Sequence, residues 1–296
     1  MKQQPENQSR TPGSSRTTAE IFKDGHDAEI AGRFDEARAA YETGLRSSPG
    51  QHPWRYRLGC VLMKMENNSE AELCFLKALE NSPGTEAYLT NLGVSLDRQG
   101  RRDDAVRAYR RAIHQGGLSP VAHHNLGIIY AEEGRTTEAI KAFESAIALE
   151  PDAEGFHNLG LVHFGGSDFV RALSCFERSV AHDSGFAMGH YYWGLCLMKT
   201  GVYHEACRRF EQAHALNRNL MRVPFHVGVC LHKMENYSQA RDKLELALGF
   251  FPEDGRIHYQ LALTCDALGL PQEARLHYSQ ARAARSPDTG FRKSGF

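Results

Sequence analysis

Small and large apolar residues recur among polar ones at spacings of four and three along most of the chain. Ala105, Tyr109 and Ala112 form one such set, and Ala139, Phe143 and Ala146 form it again 34 residues later. Residues at these spacings share one face of an α-helix, so each set predicts a helix whose buried face reads small, large, small. The leading alanine recurs at Ala37, Ala71, Ala105, Ala139, Ala172, Ala206, Ala240 and Ala274. The large residues four further on are Tyr41, Phe75, Tyr109, Phe143, Phe176, Phe210, Leu244 and Tyr278, and the small ones begin at Gly44 and Ala78. Twelve residues before each alanine stands Gly25, Gly59, Gly93, Gly127, Gly160, Gly194 or Gly228, with Ala262 in the eighth place. The pairs Leu58-Gly59, Leu92-Gly93, Leu126-Gly127 and Leu159-Gly160 mark a preceding helix. There the missing side chain is expected to admit another backbone, against a cost of ~1 kcal/mol for a helical glycine. Gly32, Gly100, Gly134, Gly201 and Gly269 predict turns between the two helices, and Pro49, Pro83, Pro151 and Pro252 punctuate the unit ends.

The repeating unit is therefore a helix hairpin. Eight units are expected over residues 18–286, starting near 18, 52, 86, 120, 153, 187, 221 and 255, with one residue dropped near Asp152. The polar segments 1–17 and 287–296 read as a disordered N-terminal tail and a flexible C-terminal tail. Period, Leu-Gly pair, alanine, aromatic, small residue and proline recur together, and in this the chain resembles the tetratricopeptide repeat family. Departures are local: Gly117, Ser184 and Arg218 replace the unit-ending proline, and Gly165-Gly166 loosens the fifth unit. The resemblance implies an all-α fold, a right-handed α-solenoid superhelix with the first helix of every unit on its concave side.

It also implies that the second, fifth, sixth, ninth, twelfth and thirteenth positions of each unit line a groove. The sixth position carries Asn91, Asn125 and Asn158 in succession. An amide side chain offers both a donor and an acceptor, so such a ladder is expected to face solvent and grip the backbone of an extended peptide. The fifth position is mostly aromatic, with Tyr56, His124, His157, Tyr191, Phe225 and Tyr259. These rings serve either as pockets for a ligand's side chains or as packing against the adjacent helix.

Composition narrows the function. Lys plus Arg number 35 and Asp plus Glu 36, so net charge draws the chain toward neither nucleic acid nor an anionic membrane. No stretch approaches the ~20 apolar residues of a membrane span, and the N-terminus lacks an apolar leader core, which predicts a cytoplasmic protein without membrane insertion. Seven cysteines without a CxxC pair read as buried, reduced thiols. His123, His124 and His157 on neighbouring first helices are too widely separated for joint zinc ligation, though His124 and His157 could make a groove pH-sensitive. No phosphate loop, GxSxG elbow or HExxH pair occurs. The Lys and Asn clamp with which relatives of this family read the acidic terminus of heat-shock proteins is absent too. The sequence thus predicts a monomeric, non-enzymatic adaptor, without cofactor or metal, that holds a peptide segment of another protein in its concave groove. The alternative is a scaffold subunit that self-assembles or docks into a multiprotein complex.

Overall fold

The computed structural model describes residues 17–116 and 118–284, which form sixteen α-helices and no strand. The tails expected at 1–17 and 287–296 lie outside these residues except for Thr17, whose side chain and Glu20 form a capping box at the start of the first helix. The chain is described as two compact units, one ending at Ile129 and the other beginning at Tyr130.

The first unit contains α1 (Thr18–Ile30), α2 (Phe34–Ser47), α3 (His52–Lys64), α4 (Asn68–Asn81), α5 (Glu86–Arg98), α6 (Arg102–Gly116) and most of α7 (Pro120–Glu132). The second contains α8 (Thr136–Leu149), α9 (Ala153–Gly165), α10 (Phe169–His182), α11 (Ala187–Lys199) and α12 (Tyr203–Leu216). It ends with α13 (Val223–Lys233), α14 (Tyr237–Phe250), α15 (Gly255–Ala267) and α16 (Pro271–Ala283). In the first unit α1, α3 and α5 each fold back on the next helix, as do α9, α11, α13 and α15 in the second. The second helices α2, α4, α8, α10, α12 and α14 each pack on the following first helix, and first helices also touch one another: α3 meets α5, and α9, α11, α13 and α15 meet in succession.

The small, large, small faces form the core. Ala105, Tyr109 and Ala112 are fully buried, as are Ala71, Phe75 and Ala78, and Ala206, Phe210 and Ala213. The glycines of the first helices work differently from the expectation of a close backbone. A Cβ on Gly59 would lie 2.6 Å from the ring of Phe75, one on Gly93 2.5 Å from Tyr109, and one on Gly160 2.7 Å from Phe176. What fills the space is the aromatic ring of the same hairpin's second helix, seated on bare backbone.

The inter-helix turns share one left-handed residue. Gly32, Gly100, Gly134, Gly201 and Gly269 adopt φ of 72 to 84°, as their positions predict. In the remaining hairpins Glu66, Ser167 and Glu235 take the same conformation at φ of 62, 61 and 63°. In the fifth repeat the left-handed residue is thus Ser167, and Gly166 keeps φ of −77°. A side chain in this region costs ~1–2 kcal/mol, partly offset by the greater freedom of an unfolded glycine. Glu66→Gly and Glu235→Gly are therefore each expected to raise the urea midpoint, by up to about 1 kcal/mol of stability. A lower midpoint in both variants would refute this reading of the turns.

Candidate peptide-binding face

The asparagines do not form a uniform ladder. Asn91 on α5 is half-buried, and its Nδ2 donates to the Tyr56 hydroxyl of α3 at 2.9 Å and lies 3.5 Å from Cys60 Sγ. Asn125 on α7 donates from Nδ2 to the hydroxyl of Tyr109 at 3.1 Å. Tyr109 is fully buried, so this bond satisfies a phenol that the equivalent Phe75 and Phe143 do not have. The expectation that Asn91 and Asn125 present free amides to solvent is thereby corrected: part of each donor set stitches one repeat to the one before. Asn158, half-buried on α9 in the second unit, engages in interactions of its own.

The aromatic stripe divides in the same way. Tyr56 stacks on Tyr88 with centroids 4.7 Å apart, and burial pushes its hydroxyl up to about 12. His157 corrects the expectation of a groove-lining ring. It is 7% exposed and enclosed by Phe176, Phe186 and Tyr192 at 5.0–5.5 Å, with its Nδ1 buried and unpartnered. Loss of water holds its pKa down at about 4, so it stays neutral at physiological pH and cannot make a groove pH-sensitive there. His124 is half-buried on α7 in the first unit.

In the second unit rings run continuously over the first helices. His157 meets Tyr192 edge-on at 5.3 Å, Tyr192 meets Tyr191 at 5.5 Å, and Tyr191 meets His226 at 5.6 Å. Phe225 adjoins His226 at 5.3 Å. Tyr191 and His226 also share a hydrogen bond of 2.9 Å between the hydroxyl and Nε2. Both Tyr191 and Phe225 are half-buried, whereas Tyr259 is 44% exposed and presents its ring to solvent beside Tyr278. The stripe is therefore packing at its root and accessible at Tyr259.

Charge at this face comes from positions that the fifth and sixth columns do not show. Arg222, the N-cap of α13, and Arg256 in the first turn of α15 both bind Asp254, at 2.5 and 3.0 Å. Burial alone would raise the Asp254 carboxyl, but hydrogen bonds from Arg256 and Arg222 hold it down at about 2. Arg222 also stacks over Phe251 at 4.4 Å. Burial lowers His226 to about 4, and the charges of Arg222, Arg256 and Lys199 push in the same direction. The second position of each unit, read alongside the fifth, would have exposed both arginines.

Other chemistry is sparse. The seven cysteines are free thiols, five of them buried, including Cys196 and Cys230 in the packing layer. Among the described residues no group of three or more His, Cys, Asp or Glu is placed to hold a metal ion, and no helix is long and apolar enough to cross a membrane.

Comparison with known proteins agrees with the repeat geometry. A family model described as tetratricopeptide repeat matches residues 23–86, 90–154 and 232–289, together more than half of the chain. No match was found among curated proteins. Among solved structures, the C-terminal part of a TPR repeat-containing protein from Cytophaga hutchinsonii superposes with a TM-score of 0.65 at 14% identity, covering 81% of this chain and 99% of that one. YrrB, described as a TPR protein with an unusual peptide-binding site, gives a TM-score of 0.57 at 22% identity over 66% of this chain and 98% of its own. The MamA protein gives 0.50 at 23% identity over 56% and 92%. At these identities the likeness is one of fold.

Proposed function

Because the chain belongs to the tetratricopeptide repeat family, we propose that it is a non-enzymatic adaptor that binds a peptide segment of another protein along its first-helix faces. The observation that carries this reading is the succession α9, α11, α13 and α15. Each first helix touches the next, and their fifth positions bring Tyr191, Phe225 and Tyr259 onto one face, with Tyr259 exposed. Half-buried aromatics with an accessible edge are the residues that anchor peptide ligands, because they bury large apolar area at little entropic cost. In this reading Asn158, half-buried on α9, joins them. In the first unit Tyr56, Asn91, His124 and Asn125 form the corresponding set, with Asn91 and Asn125 contributing what their bonds to tyrosine leave over. The peptide-binding site described for YrrB supports the reading by analogy of fold.

The protein acts as a monomer in the cytoplasm, where its free thiols stay reduced. Balanced charge favours a protein partner over nucleic acid. The scaffold reading has its own support in apolar side chains exposed on second helices: Leu73 and Leu76 on α4, and Leu246 and Phe250 on α14.

Site-specific photocrosslinking decides between them. A benzophenone side chain placed at Tyr259 or Phe225 is expected to capture a distinct partner protein in host extract, while one at Leu246 or Leu73 is expected to capture none. Capture confined to the second-helix positions, or capture of further copies of the chain itself, would replace the adaptor with the scaffold.

A further inference from the structure

We propose that the face formed by α11, α13 and α15 selects a peptide segment rich in Asp and Glu, with Arg222 and Arg256 as the principal recognition residues. This rests on the peptide-binding reading above and adds the chemistry of the ligand.

Charge on the first helices of these three hairpins is almost all of one sign. The first helices α11 and α13 contain no Asp or Glu, and α15 contains only Asp266, which accepts a hydrogen bond from the Tyr278 hydroxyl of α16 at 2.7 Å. Lys199, Arg222, Lys233 and Arg256 stand on or at the ends of the same helices. The second helices carry both signs, with Glu205, Glu211, Asp242, Glu245 and Glu273 set among Arg208, Arg209, Arg241, Lys243, Arg275 and Arg282. A nearly neutral chain thus carries a locally cationic first-helix face, the arrangement that attracts an anionic segment and rejects a cationic one.

The two arginines are also held in place before any ligand arrives. Asp254 takes the Arg222 Nη1 at 2.5 Å, and its two oxygens take Arg256 Nε at 3.2 Å and Nη2 at 3.0 Å. It is itself fixed as the N-cap of α15 by the Arg256 amide. One carboxylate cannot neutralise two guanidinium groups, so the cluster keeps a net positive charge. The Arg256 side chain remains 63% exposed, and binding through Nε and Nη2 leaves the terminal edge of its fork directed away from Asp254. Tyr259, one helical turn further along α15, offers an exposed ring against which the aliphatic stem of a Glu residue could lie. The Tyr191 and His226 pair closes the inner side of this cluster with neutral groups, since burial keeps both uncharged near pH 7.

Panning a random peptide library against the full chain tests the proposal. Selected peptides are expected to be enriched in Asp and Glu. By fluorescence anisotropy their affinity should fall about tenfold when Arg256→Gln is combined with Arg222→Gln, and should weaken as salt rises. Lys243→Gln, on the exposed side of α14, serves as the control and is expected to change nothing. Circular dichroism of the double variant checks that both side chains leave the fold intact. Selected peptides without acidic enrichment that still crosslink to Tyr259 would overturn this inference and leave the peptide-binding reading standing. Acidic peptides that bind the double variant as tightly as the parent would overturn it as well. Failure to select any peptide would remove both together.

Discussion

Acidifying the solution from pH 7 toward pH 4 is expected to destabilise the second unit progressively, well before its ion pairs are titrated. His157 and His226 have pKa values held down at about 4, against an ordinary 6.5, with burial as the leading cause. A depressed histidine binds fewer protons folded than unfolded, so stability is intact above pH 6.5 and is lost as pH falls from there toward the folded value. At 1.36 kcal/mol per pH unit, each ring's contribution approaches about 2 kcal/mol at pH 5 and about 3 kcal/mol at pH 4. His163, His190, His232 and His277 are also lowered, again chiefly by burial, and add in the same direction. Asp254 does not confuse the measurement, because its carboxyl is held at about 2 and its stabilisation is lost only below its ordinary value of 3.8. Thermal melts at a series of pH values should show the midpoint falling by several degrees between pH 7 and pH 5. His157→Phe, whose ring needs no partner for the buried Nδ1, should flatten that dependence. A midpoint that is level over this range, or a slope unchanged by the substitution, would show that these rings are protonated without cost.

The second large effect is expected at Gly44. A Cβ there would lie 1.3 Å from Cζ3 of Trp54, which is 7% exposed and also packs on Phe22 with centroids 5.1 Å apart. No small shift relieves such an overlap, so Gly44→Ala should cost ~3 kcal/mol or more in spite of alanine's better helix propensity. Trp54→Val should cost ~3 kcal/mol through the cavity it leaves. The double variant recreates a pair already present as Ala213 and Val223, both buried at the equivalent positions of later repeats. It should therefore be more stable than the sum of the two losses by ~1–3 kcal/mol. Urea denaturation of all four proteins measures this coupling, and strict additivity would mean that the two residues do not meet in solution.

How far the molecule could be read from its residues depended on whether a feature repeats. Hairpin turns at Gly32, Gly100, Gly134, Gly201 and Gly269, and the buried column from Tyr41 to Phe210, were legible because each obeys one local rule many times over. Glu66, Ser167 and Glu235 escaped because the backbone imposes a left-handed residue there even where the side chain argues against it. Asn91 and Asn125 were misjudged for a different reason. Identical residues in one column were assigned one role, yet Asn125 answers a hydroxyl on Tyr109 that Phe143 lacks, so its role is set by the residue on the preceding helix. His157 was placed at the surface by its column, and its depth comes from Phe186, a residue preceding α11 that no column predicts. The paired arginines lay in the second position of their units, three residues before the aromatic fifth, and became visible through their shared carboxylate.

The seating of a ring on a glycine sixteen residues earlier has a consequence for how the chain is made. Gly59 with Phe75, Gly93 with Tyr109, Gly160 with Phe176 and Gly194 with Phe210 are contacts of short sequence separation, closed within one hairpin and independent of any later part of the chain. Contacts of this kind form early and cost little loop entropy. During synthesis each hairpin can therefore close on itself as it clears the ribosome and dock onto the one already finished. Assembly then proceeds from the N-terminus in the order of translation, with never more than about one repeat's apolar face awaiting its neighbour.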